Sequence, residues 1–195
     1  GYVPATTDQS ALGVHSLDQF VLALPDLAPA QRFYGEFGLD VASAGNALAL
    51  RAGGNDHDWG LLVEGKRKRL HHLSFGCYPD DLASLQERAE ASGAERVDPP
   101  AGFESNGFWL RDPAGLLVEV KAAPKVSPAH KMCGSWSSSA EGVAGAPVRR
   151  NAPRVRPRRL SHVLVFSPDI GFTSFGNSDE ERFMNLALYP EESAM

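Results

Sequence analysis

Cysteine is nearly absent: Cys77 and Cys133 are the two thiols in 195 residues. They stand in unlike settings, one in an apolar run and one in a Ser/Gly-rich stretch, so no disulfide framework is expected and a reducing cytoplasm fits best. Long apolar runs are missing too, and none approaches the roughly 20 residues of a membrane span. Gly1 to Leu12 has neither a basic head nor an apolar core, so no signal peptide is read there. Charge of one sign is not in large excess: a net charge of -5 gives no electrostatic reason for binding nucleic acid or an anionic membrane. Six arginines do fall between Arg149 and Arg159. No aromatics interleave with them, so a solvated linker explains the run better than a nucleic-acid patch. What is present, 43% hydrophobic and 22% charged residues, is the balance of a globular protein with chain enough for one domain or two small ones.

Apolar runs and turn residues set out the elements. Residues 17–24 read as a buried strand that ends at Pro25-Asp26. A short helix follows, with Pro29 in its first turn, Phe33, Tyr34 and Phe37 as its apolar positions, and Gly38 at its end. Strand-like pieces come at 46–51 and 59–63, separated by Gly53-Gly54-Asn55-Asp56. Leu70 to Tyr78 is a second long strand, and a helix over about Asp80 to Ala91 carries Leu82, Leu85 and Ala89 on one face, with Gly93 beyond it. Strands at 107–111 and 116–121 flank the turn Asp112-Pro113-Ala114-Gly115. The order is strand, helix, three strands, given twice. From about Ala122 to Pro157 the chain turns Pro-, Ser-, Ala- and Gly-rich without apolar period, as a linker does.

An internal repeat is the most informative feature. Leu17-Asp18-Gln19, five residues and Pro25-Asp26-Leu27 are matched by Leu160-Ser161-His162, five residues and Pro168-Asp169-Ile170. A third copy, one residue longer, is Leu70-His71-His72 through Pro79-Asp80-Asp81-Leu82. Each begins a strand, and each has Gln or His at its third position.

Side chains alternate along a strand. Gln19 therefore lies with Val21 and Ala23, His72 with Ser74 and Gly76, and Glu119 with Leu117 and Lys121. Gln19, His72 and Glu119 can share one concave face, and an amide, an imidazole and a carboxylate could hold a divalent metal with positions left open. Plainer roles exist for each. His72 could be a satisfied core histidine, Gln19 could bond a neighbouring backbone, and Glu119 could pair with Lys121 or Arg111. His71, on the other face, and His57, in a turn-rich loop, read as structural or exposed; Cys77 reads as core and Cys133 as a linker thiol.

Phe108-Trp109-Leu110-Arg111-Asp112-Pro113-Ala114-Gly115-Leu116-Leu117-Val118-Glu119 is similar to the end of the extradiol dioxygenase signature. Leu70-His71-His72-Leu73 resembles the segment carrying a histidine ligand, and Arg159-Leu160-Ser161-His162-Val163-Leu164 resembles the first strand of that family's second, catalytic module. Together with the repeat, the chain resembles the vicinal-oxygen-chelate superfamily: glyoxalase I, bleomycin-resistance proteins and type I extradiol dioxygenases. The resemblance implies an α+β fold of paired βαβββ repeats. Residues 12–123 would form a first module, 124–157 a linker, and 158–195 the first strand of a second module with an atypical tail. It implies Fe(II), with Mn possible, as the metal, and His162, His72, Glu119 and Gln19 as candidate ligands. A small catechol-type aromatic and dioxygen would be the partners, and the protein a cytoplasmic homo-oligomer.

Two features depart from the family pattern. Gln19 stands where a histidine is expected, as in glyoxalase I. After Ile170 the helix and further strands of a second module do not follow; Ser178 to Leu188 reads as a short helix with a Ser178/Glu181 capping box. The expectation is that the isolated chain is weak or inactive in ring cleavage, and that the apolar strand 159–166 pairs with another sheet or a second chain. A glyoxalase-like metal-dependent isomerase or lyase, and a non-catalytic binding or dimerisation module, are the alternatives.

Overall fold

The computed structural model describes residues 12–53, 56–112 and 114–126, together with Pro157 and Val163. The first half consists of β1 (Ser16–Leu24), α1 (Ala28–Phe37), β2 (Asp40–Ala44), β3 (Ala47–Arg51) and β4 (Asp58–Glu64). The second half repeats it with β5 (Arg69–Cys77), one 3₁₀ turn (Pro79–Asp81), α2 (Leu82–Ala91), β6 (Glu95–Val97), β7 (Phe108–Arg111) and β8 (Leu117–Ala122). All of the described strands join one eight-stranded sheet in the order β2-β3-β4-β1-β5-β8-β7-β6. The long strands β1 and β5 run antiparallel at its centre, and each has the last strand of its own half, β4 or β8, parallel on its other side. This is the α+β fold of paired βαβββ units.

The sequence reading missed β2 and β6, the outermost strands. Their residues are mostly exposed or half-buried, so they lack the apolar alternation that marks a half-buried strand. Cross-strand pairing, not burial, makes them strands: Val41 faces Leu50, and Arg96 faces Leu110.

One sheet face carries both helices. Leu24, Leu50 and Leu62 pack under Ala30 and Tyr34 of α1, while Cys77, Phe108, Leu110 and Val120 pack under Leu82, Leu85 and Ala89 of α2. Between them Leu17, Leu73, Phe75 and Val118 form a third cluster, on which Val163 packs. Two of the apolar positions expected of α1 are not core: Phe33 and Phe37 are 60% and 62% exposed, with stacked rings. Gly38 ends α1 at φ 104, a left-handed conformation open to glycine at no steric cost. No helix among the described residues is long and apolar enough to cross a membrane. The rest of the expected linker and second module, including His162, strand 159–166 and the helix at 178–188, lies outside the described residues.

The Asp112–Leu116 turn holds β7 to β8. Buried Asp112 accepts the Leu116 N–H on Oδ1 at 2.6 Å, its own N–H donates to the Leu116 carbonyl, and its carbonyl takes the Gly115 N–H. Asp112→Ala strands a half-buried donor and is expected to cost about 1–2 kcal/mol. In thermal unfolding followed by circular dichroism that is a fall in Tm of roughly 5–10 °C; an unchanged Tm would show that the carboxylate is dispensable.

Candidate functional site

The face opposite the helices carries the polar side chains. Gln19 of β1 lies opposite Ser74 of β5, Ser74 is paired with Glu119 of β8, and Glu119 with Trp109 of β7. These four form one row across the centre of the sheet. His72 stands in the adjacent row, between Val21 and Leu117. Gln19, His72 and Glu119 thus share a face, but His72 is one row away from the other two.

Each of the three is committed within the protein. The Gln19 side-chain N–H donates to the Asp58 carbonyl at 2.8 Å. The Ser74 hydroxyl donates to the Glu119 carboxylate, and the Lys121 ammonium lies 3.5 Å from the same carboxylate oxygen. The His72 and His71 Nδ1 atoms meet at 2.8 Å, a bond in which one ring must offer an N–H and the other a lone pair. Trp109 and Phe103 stand edge-on to the His72 ring at 4.8 Å. Burial, with the charges of His71 and Lys121 adding to it, holds His72 down at a pKa of about 3. It is a neutral imidazole over the whole working range of a protein.

Two register shifts in β1/β5 bring in residues that strict alternation sends elsewhere. The first lies between Leu17 and Gln19. There Asp18, expected on the helix side, reaches Lys121: its Oδ2 is 3.0 Å from the ammonium. The second, between Val21 and Leu22, sets His71 beside His72 instead of on the other face, with both rings against Phe103. A bulge offers an extra residue to one strand and re-aims its side chain. His57, in the loop before β4, also joins this side in the structural role read for it, half-buried. Its Nε2–H donates to the Asp18 carbonyl at 2.7 Å, and its ring stands edge-on to Trp59.

Lys121 is the centre of charge. The side chains of Asp18 and Glu119 are 8% and 4% exposed, so both carboxylates are taken out of water and need a partner. Burial works against the ammonium, but Glu119 and Asp18, by charge and by hydrogen bonding, outweigh it and raise the Lys121 pKa. The indole N–H groups of Trp59 and Trp109 are buried with no hydrogen-bond partner among the described residues.

The donors of this face do not fit a metal. A ligand carboxylate would have to give up an ammonium, and His72 would have to leave its row and its ring contacts. Among the described residues no group of three or more His, Cys, Asp or Glu is placed to hold a metal ion.

Comparison with known proteins adds four findings. The sequence model of the Glyoxalase/Bleomycin resistance protein/Dioxygenase superfamily matches residues 16–120. Metapyrocatechase 2 of Cupriavidus necator is 44% identical over 157 residues, 80% of this chain and 49% of the relative; the chain spans about half the length of that curated protein. In three dimensions the chain is similar to the 2,3-dioxygenase LapB of Pseudomonas sp. KL28, with a TM-score of 0.57 and 21% identity over 83% of this chain and 56% of that one. It is likewise similar to BphC, a halotolerant catechol dioxygenase, with a TM-score of 0.56 and 17% identity over 83% and 52%. At those identities the structural likenesses speak for the fold.

Proposed function

Because this chain belongs to the glyoxalase/bleomycin resistance protein/dioxygenase superfamily, we propose that it serves the extradiol cleavage of a catechol-type aromatic by dioxygen. The observation that carries the reading is the 44% identity to metapyrocatechase 2, sustained over 80% of the chain. Likeness over that length reaches well past the matched superfamily region, which ends at residue 120. The catechol and dioxygen as substrates, a homo-oligomeric state and a cytoplasmic setting belong to the same reading.

The reaction calls for Fe(II), with Mn(II) as the alternative. Gln19, His72 and Glu119 do not fit it, because each is already held by Asp58, His71, or Ser74 and Lys121. We therefore assign the ligand role to His162, the third position of the repeat unit that begins at Leu160. A single neutral imidazole does not hold Fe(II) against water by itself, so His162 acts with further ligands. An isomerase or lyase of the glyoxalase type would need Gln19, His72 and Glu119 on one metal, and their hydrogen bonding gives that reading no support.

Oxygen-electrode measurements with Fe(II) and catechol test the proposal. The isolated chain is expected to give weak catechol-dependent oxygen uptake or none, and any uptake, with its yellow ring-fission product, is expected to be abolished in His162→Ala and retained in Glu119→Gln. Activity that survives His162→Ala but is lost in a folded Glu119→Gln would move the metal to the described face. Uptake that is the same in wild type, His162→Ala and Glu119→Gln would sink the reading.

A further inference from the structure

We infer that the Lys121 ammonium is the built-in cation of the sheet's helix-free face, standing between Asp18 and Glu119 in the position a divalent metal would take. The inference rests on the described module alone and uses no ring-cleavage readout, so it stands or falls apart from the proposed activity.

Four observations carry it. The two carboxylates are the most deeply buried acidic side chains on this face, and the same ammonium reaches both, at 3.0 Å from Asp18 and 3.5 Å from Glu119. The Ser74 hydroxyl adds a third oxygen on the Glu119 side, so the ammonium and its neighbours form an oxygen-rich cluster of the kind that suits a hard divalent cation. The backbone leaves room for the lysine. Its cross-strand partner on β5 is Gly76, and on the β7 side Gly107 comes so close that an added Cβ would lie 2.8 Å from the Lys121 Cβ. Finally, the β1 register shift is what lets Asp18 complete the pair. Two buried carboxylates and one ammonium leave a single net negative charge. Without the ammonium Glu119 would keep the Ser74 hydroxyl and Asp18 the His57 ring at 3.5 Å, but both buried carboxylates would lose their shared cation, a loss that costs several kcal/mol and that a divalent cation would relieve.

Mn(II) uptake by the full chain, measured by equilibrium dialysis and electron paramagnetic resonance, tests the assignment. With Lys121 in place, Glu119→Gln is expected to remove no bound Mn(II), since the ammonium already stands in the cation position between the carboxylates. Lys121→Met is expected to gain about one equivalent of Mn(II) over wild type. The gain should vanish in Lys121→Met/Glu119→Gln and should not occur in Lys121→Arg, which keeps the charge. Should Lys121→Met fail to fold alone, Mn(II) is expected to restore its native circular dichroism. Loss of an equivalent in Glu119→Gln, a folded Lys121→Met that takes up no more Mn(II) than wild type, or an unfolded one that Mn(II) does not rescue would each overturn it.

Discussion

Gly107→Ala is expected to destabilise the protein by about 3 kcal/mol or more, lowering Tm by roughly 10–20 °C. A Cβ at this position would lie 2.1 Å from the Val120 carbonyl oxygen and 2.9 Å from the Lys121 Cα. Both obstacles are backbone, so no rotamer change relieves them. The strand must move instead, and the first thing it gives up is the Phe108–Val120 pairing of β7 with β8. The same shift would carry Lys121 away from Asp18 on β1, adding the cost of loosened buried charge. Gly35, in the interior of α1 with nothing within 4 Å of an added Cβ, is the control. Gly35→Ala is expected to be neutral or to stabilise by up to about 0.8 kcal/mol through helix propensity. Thermal and urea unfolding of both variants checks the pair of expectations. A Gly107→Ala protein within a degree or two of wild type would mean that the close approach of β7 to the Val120 carbonyl does not exist.

The second large effect is a loss of stability in mild acid that traces to His72. Its pKa is about 3 in the folded protein, against an ordinary 6.5, so the folded state refuses a proton that the unfolded chain accepts. For a histidine depressed in this way the stabilisation is complete above pH 6.5 and is lost progressively as pH falls from 6.5 toward 3. At roughly 1.4 kcal/mol per pH unit, the loss reaches about 3 kcal/mol by pH 4. His71, also lowered, by burial and then by Arg69, pulls in the same direction. Protonating both rings would also destroy the Nδ1–Nδ1 hydrogen bond, since neither would keep a lone pair to accept. His72→Phe keeps an aromatic ring against Trp109 and Phe103 while removing the titration. Its unfolding free energy is expected to fall less steeply than that of wild type between pH 6.5 and 4, by close to one proton. Identical slopes for the two proteins would exclude His72 as the source.

Much of the fold was open to reading along the chain. The repeat of Leu17-Asp18-Gln19 and Leu70-His71-His72 marks the two central strands, and the paired strand–helix–strand order around them yields the βαβββ units that the sheet contains. Apolar residues at alternate positions, such as Leu73 and Phe75 or Val118 and Val120, identify the face that the helices cover. These signals are local: alternation along one strand and a glycine after a helix need no knowledge of the neighbours. The same reasoning put Gln19, His72 and Glu119 on one side of the sheet, and there they are. It also admitted the plainer partners that the structure contains, a backbone carbonyl for Gln19 and Lys121 for Glu119.

The site's chemistry depended on relations between strands. Asp18 and His71 lie at register shifts, and a single inserted residue reverses the side to which alternation assigns a side chain. No property of Leu17-Asp18-Gln19 alone indicates that a bulge falls there, because a bulge is defined by the partner strand. Phe33 and Phe37 teach the converse: helical spacing made them candidate core, but α1 turns Tyr34 to the sheet and leaves both rings outside. The edge strands β2 and β6 gained their identity from pairing, since too little apolar surface is buried there to mark them. Sequence by itself determined both helices, the six strands other than β2 and β6, the repeat and the superfamily, through patterns carried within a few consecutive residues. Tertiary structure decided that Lys121 stands between Asp18 and Glu119, because charge pairing in a sheet is set by which residues of separate strands, here β1 and β8, come within 3–4 Å.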